Sequence, residues 1–307
     1  MKVFFCKLIA FILLVGVPYY YFQYNLITQR DAYYWKATQS ANHLILGGSR
    51  AFKGILPSVI KEELHIDAPI INFAFNGLLS PYGEPYYNAI KRKLTPSDSH
   101  NGLYILSVAP GSIMDFEGGN GRREEAFRFY QLWDMNALPN VEYVFRNPRP
   151  GSALLVRLLH NTYNDSESAV HHQIYQDGAQ STFVKKGTIH RGKKEDRLLQ
   201  HTMYRSSSRE NSLKQLVNLL ADRGNVFLIR IPVSQQMLAE ENQIYEDFNW
   251  VMEKIAADNK YVKYFNWNDI TPEQDYRFSD GHHHLEGESA QRFSFTLAQY
   301  IKNHLDQ

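Results

Sequence analysis

Apolar positions in this chain follow three rhythms. The first is a continuous run. Residues 3 to 22 read VFFCKLIAFILLVGVPYYYF, with Lys7 as the one charge. About 20 apolar residues cross a bilayer as a helix, so residues 1–24 predict a transmembrane anchor. Lys2 and Lys7 near its start favour a cytoplasmic N-terminus, and Lys7 can snorkel to the interface. Tyr19, Tyr20, Tyr21 and Tyr24 supply an aromatic belt for the far side. No small-residue cleavage site follows, which favours a retained anchor over a removed signal peptide.

The second rhythm is short apolar runs closed by turn residues. Residues 43–46, 69–75, 102–108, 226–231 and 261–265 read as strands. The third has helical spacing: Leu213, Leu216, Val217 and Leu220, then Ile244, Phe248, Val251 and Ile255, then Ala290, Phe293, Leu297 and Ile301. Pro57 opens a helix to about Leu64, and another runs from Ser80 to about Leu94. Strands alternating with helices predict an α/β fold: a mostly parallel five-stranded sheet covered on both faces, three-layered and flavodoxin-like. Residues 25–41 read as a polar connector and 42–307 as one domain. Within it, residues 112–205 have weak periodicity and read as an insertion beside the active site, in the position of a lid.

Composition narrows the partners. Lys+Arg 33 against Asp+Glu 32 leaves no global field for nucleic acid, so no nucleic-acid partner is expected. Twenty tyrosines and 18 phenylalanines argue against disorder. The single cysteine, Cys6, excludes an intrachain disulfide.

Ligands of open parallel sheets bind beyond the strands' carboxyl ends. Gly48-Ser49, Asn76-Gly77 and Ala109-Pro110 mark three such ends. Ser49 follows LILGG and reads either as a capping serine in a turn or as a nucleophile exposed where a buried strand exits. The stretch FSDGHHHLEGESAQRF, residues 278–293, holds Asp280 and His283 three apart just before a helix. One loop can thus carry both an orienting acid and a base. The alternatives are a histidine-rich surface loop or a metal site, but no further carboxylate or thiolate set accompanies the histidines. No metal and no cofactor is therefore expected.

These blocks resemble those of SGNH (GDSL-like) hydrolases. LILGGSRAFKGILP is similar to the divergent first block with G-x-S-R, INFAFNG to the second, and SDGHHHL to the last, D-x-x-H. With an N-terminal anchor ahead of them, the whole resembles the membrane-anchored DltD-like and alginate-acetylation-like proteins. The resemblance implies an extracytoplasmic serine O-acyl esterase or acyltransferase at the inner membrane, facing the periplasm. Its substrate would be an acylated cell-envelope polysaccharide or glycolipid, and a membrane-bound O-acyltransferase would be a partner. It implies Ser49 as nucleophile, Asp280 as acid, and the Ser49 and Gly77 N–H groups, beside Asn76, as oxyanion donors. The D-x-x-H spacing selects His283 as base, whereas a leucine directly after the histidine selects His284. Two departures stand out: Gly48 replaces the usual aspartate, and the third block, G-x-N-D, is absent where the third strand ends SVAPGS with Ser107 and Ser112. Losing one oxyanion donor costs about 10²–10³ in rate elsewhere, so a non-catalytic binding partner in an envelope-modification complex is the alternative.

Arg50 could contact a carboxylate or phosphate on substrate, or be structural. Arg230 could point into the cleft, and His43 reads as structural. Trp133, Trp250 and Trp267 could line a sugar site but fit core or surface packing better.

Overall fold

In the computed structural model, residues 1–95, 99–116, 124–148, 203–270 and 276–305 are described. Five parallel strands form one sheet: β1 (His43–Leu46), β2 (Ile70–Asn72), β3 (Gly102–Ser107), β6 (Gly224–Arg230) and β7 (Val262–Asn266). Two short strands, β4 (Met114–Phe116) and β5 (Met203–Arg205), pair antiparallel apart from it. The sheet order is β2-β1-β3-β6-β7, the 2-1-3-4-5 winding of flavodoxin-like sheets.

Side chains alternate across the central strands. Leu44, Leu46, Tyr104, Leu106, Val226 and Leu228 enter one core; Ile45, Leu103, Ile105, Phe227 and Ile229 enter the other. With both faces buried, these strands are continuous apolar runs. Burial of each such side chain contributes roughly 1.5–3 kcal/mol.

The N-terminal helical stretch comprises α1 (Lys2–Phe11), one π-wound turn (Ile12–Gly16) and α2 (Val17–Arg30). α3 (Ala32–Lys36) follows. The first core is covered by α6 (Glu84–Lys93), α8 (Ser207–Ala221) and α10 (Phe248–Ala257). The second is covered by α4 (Ser49–Gly54), α5 (Pro57–Glu63), α11 (Trp267–Ile270) and α12 (Gly287–Leu305). Two further helices are α7 (Val141–Arg146) and α9 (Gln235–Ile244).

Three regions differ from the sequence reading. Residues 25–41 are not a free connector: Leu26, Ile27 and Tyr34 are buried in the core. Residues 124–148 of the insertion also join the main core, through Phe129, Tyr130, Leu132 and Tyr143; the lid reading of residues 117–123 and 149–202 lies outside the described residues. The helix expected around residues 244–255 is preceded by a second one, α9, ending at Ile244. Its sequence QQMLAEENQI hides no apolar stripe, because its buried residues are Met237 and a carboxylate, Glu241.

Lys2–Thr28 is the one described helix long and apolar enough to cross a membrane or act as a signal sequence. Its most apolar stretch is unburied. From Gln23 onward the helix sinks into the domain. Tyr20 and Tyr24 pack against the core, which leaves Tyr19 and Tyr21 as the exposed part of the expected belt.

Candidate active site

β1 exits into a turn that only glycine permits. Gly47 has φ +127°, and a Cβ there would meet the Ser107 carbonyl oxygen at 2.8 Å. Hydroxyls clamp both of its peptide groups: Ser80 Oγ donates to the Gly47 carbonyl at 2.7 Å, and the Gly47 N–H donates to Tyr86 Oη at 3.1 Å. Tyr86 Oη in turn donates to the Phe73 carbonyl at 2.7 Å, and Tyr82 Oη to the Ser107 carbonyl at 2.8 Å. Gly48 faces the second strand exit, with the Gly77 Cα 3.5 Å from where its Cβ would stand. Ser49 is then the first residue of α4.

The loop before α12 meets this serine across 235 positions of sequence. His284 Nε2 lies 2.8 Å from Ser49 Oγ. His284 Nδ1 lies 2.9 Å from Asp280 Oδ2. Asp280 Oδ1 accepts the N–H groups of His282, His283 and His284 at 3.0, 3.0 and 3.1 Å. The loop therefore coils around its own carboxylate, and the fourth residue along returns over it.

That geometry corrects the D-x-x-H spacing argument for which ring meets Ser49. Asp280 and His284 are four apart, and His284 makes the contact. His283 Nδ1 is 3.3 Å from Asp280 Oδ2 without hydrogen-bond geometry and has no other hydrogen-bond partner among the described residues. His283 instead lines the cleft.

Asp280, His283 and His284 offer ligand atoms within 4.8 Å of one another. A cation ligated through His284 Nδ1 would displace the His284–Asp280 hydrogen bond, because that nitrogen cannot both donate to the carboxylate and ligate.

Electrostatics favour a neutral imidazole at position 284. Burial lowers the His284 pKa, and the Asp280 hydrogen bond opposes it. His283 is pushed to about 3, chiefly by burial and then by Arg50. Burial alone would raise Asp280, yet the His284 hydrogen bond, the His283 charge and the loop N–H groups hold it well below the usual carboxylate range.

The cleft beside Ser49 encloses about 670 Å³. Leu78, Ala109, Phe116, Met203 and Met237 give it apolar walls; Ser107, Ser112, Glu240 and Glu241 add polar ones. Asn76 and Gly77 border it. The Asn76 carboxamide oxygen accepts the Leu78 and Leu79 N–H groups at 3.0 and 3.1 Å, shaping that turn. Ser112 Oγ, where the third block would be, is engaged with the Ala109 carbonyl at 2.6 Å.

No family model matches this chain, and no curated protein matches it. Among solved structures it is similar to a protein of Agrobacterium tumefaciens str. C58 provisionally described as an arylesterase. That likeness has 10% identity and a TM-score of 0.42, covering 86% of this chain and 99% of the other.

Arg50 does not reach freely into the cleft. Its Nη2 lies 2.6 Å from Glu241 Oε1, and Arg230 Nη2 lies 3.1 Å from Glu241 Oε2. Arg230 is fully buried and also donates to Asn249 and Asn242 at 2.8 and 2.9 Å. Its expected place in the cleft is thus taken by Glu241, a residue no sequence signal marked. His43 is structural: its Nδ1 accepts the Leu103 N–H at 3.1 Å. None of the three tryptophans lines the cleft. Trp267 is buried against Phe293, and Trp133 and Trp250 are exposed.

Lys36 is another residue the sequence did not single out. Its ammonium stem is buried, its Nζ donates to the Ala74 carbonyl, and it stands over the Phe52 and Phe75 rings at 4.4 and 4.7 Å. Burial holds it well below the usual lysine range. Ala74 stands two positions before Asn76, so this contact braces the wall of the cleft from the N-terminal side.

Proposed function

We propose that this chain is an SGNH-type serine esterase or acyltransferase, tethered to the membrane by its N-terminal helix and acting outside the cytoplasm. Its substrate class is acyl groups of a cell-envelope polysaccharide or glycolipid, and a membrane-bound O-acyltransferase is the fitting partner. One observation carries the reading: Ser49, His284 and Asp280 form a hydrogen-bonded relay of 2.8 and 2.9 Å beside a 670 Å³ cleft.

In this reading Ser49 Oγ attacks the acyl carbonyl as His284 Nε2 takes its proton. Asp280 keeps the Nδ1–H tautomer and stabilises the imidazolium. The Ser49 and Gly77 N–H groups, on adjoining turns, would receive the oxyanion. Collapse expels the alcohol, protonated by His284, and leaves an acyl-serine for water or a sugar hydroxyl. Which acceptor wins depends on water exclusion from the cleft.

The test is a fluorophosphonate probe on the full chain. Ser49→Ala should abolish labelling and His284→Ala should slow it severely. Labelling that persists in Ser49→Ala would sink the reading. The absent third-block asparagine favours a second reading, a non-catalytic partner of the same assembly. In a deletion strain, complementation by Ser49→Ala would select it.

A further inference from the structure

The exposed apolar face of α7 lies where the N-terminal helix leaves the domain. Val141 and Phe145 are four apart and share one face of α7, and Phe145 is 63% exposed. Leu138, just ahead of the helix, is exposed as well. Trp133 is 85% exposed, and its backbone N–H donates to the Glu142 carboxylate of α7 at 2.8 Å. A soluble surface rarely gathers such side chains without a partner.

What covers them follows from one ring contact. Phe145 packs on Tyr20, with ring centroids 5.8 Å apart. Tyr20 belongs to the continuous apolar stretch of residues 3 to 22, two residues from its end, or about 3 Å along a helix. If that stretch fills the hydrocarbon, a side chain level with Tyr20 lies in the interfacial layer, where aromatic rings are favoured.

α7 is also locked to the base of the N-terminal helix. Tyr143 Oη donates to Asp31 at 3.0 Å. The Asn140 N–H donates to Tyr34 Oη at 3.1 Å, and its amide to the Ala37 carbonyl at 3.2 Å. The two elements must enter any layer as one rigid unit.

We infer that the Leu138–Val141–Phe145 face of α7, with Trp133, is a second membrane contact that lies in the bilayer interface beside the spanning helix. This rests on the membrane reading of the N-terminal helix. The domain is then seated on the lipid at a fixed tilt instead of swinging on a stalk.

Nitroxide depth measurements on the full chain in lipid nanodiscs test this. In a Cys6→Ser background, labels are placed by Phe145→Cys and Val141→Cys, with Leu13→Cys as the lipid reference and Glu253→Cys as the aqueous one. Residue 145 should show an oxygen-to-nickel-chelate accessibility ratio several-fold above that of residue 253 and below that of residue 13. A ratio at 145 equal to that at 253, with 13 in lipid, overturns the inference and leaves the anchor standing. Protection of 145 from both reagents also overturns it, because protein, such as a second copy, would then cover the face. An aqueous reading at residue 13 overturns anchor and inference together.

Discussion

Two carboxylates near Ser49 are held in opposite ways: Asp280 stands behind His284, and Glu241 lines the cleft. Asp280 is 30% exposed and is satisfied inside its own loop, by three consecutive N–H groups and the ring four residues on. Glu241 is 2% exposed and is satisfied from outside, by guanidiniums of α4 and β6. Asp280 owes its setting to local sequence, so it can organise chemistry without the rest of the wall. Glu241 owes its setting to the finished fold, so its removal strands two cations.

Rate should separate most sharply the two neighbouring rings of the Asp280 loop. His284→Ala is expected to slow probe labelling by about 10⁴–10⁶-fold, the scale of losing a triad member. His283→Ala should stay within about tenfold, since catalysis by positioned side chains starts from contact with the reacting group. Equal losses would break the distinction between the neighbouring rings.

Stability should separate the two carboxylates next. Glu241→Ala leaves Arg50 and Arg230 facing each other and should cost about 3–5 kcal/mol in chemical denaturation. Asp280→Asn keeps an acceptor for the loop N–H groups and should cost about 1 kcal/mol. A Glu241→Ala protein as stable as the parent would show that the wall does not depend on its ion pairs.

Acidity offers a finer contrast. His284 must be neutral to take a proton, and its pKa is depressed, so the rate should rise with pH through a midpoint below 6.5. Arg50→Gln removes one positive neighbour and should move that midpoint slightly upward. His283 is neutral in the folded chain down to about 3, while the unfolded chain protonates near 6.5. Its share of stability is therefore complete above 6.5 and is lost as pH falls toward 3. Denaturation midpoints between pH 7 and 4 should fall less in His283→Gln than in the parent.

The smallest contrast is between two adjacent glycines. Gly48→Ala meets neighbours at ordinary distances, whereas Gly47→Ala is strained at positive φ and against Ser107. Gly48→Ala should shift stability by about 1 kcal/mol at most, with Gly47→Ala clearly worse.

The same contrast explains what could be read in advance. The five strands were legible because each is an apolar run bounded by turn residues, and the Gly47-to-Ser49 exit and the Asp280 loop are contiguous signals. His284 escaped the spacing rule because hydrogen bonding of three N–H groups to one oxygen sets the loop's path, and residue spacing alone does not encode it. Glu241, Tyr82 and Lys36 carry no local mark at all. Their meaning comes from Arg230, the Ser107 carbonyl and the Ala74 carbonyl, which only the packed sheet brings alongside.

The buried amine of Lys36 has a practical corollary. The polypeptide between the apolar helix and the first strand is a keystone, wedged under the turn that follows β2. Trimming the chain at residue 42 to obtain a soluble fragment would pull out Leu26, Ile27, Tyr34 and Lys36 and leave a hole beneath the cleft. The workable cut falls ahead of Gln23, where the helix first disappears into the domain.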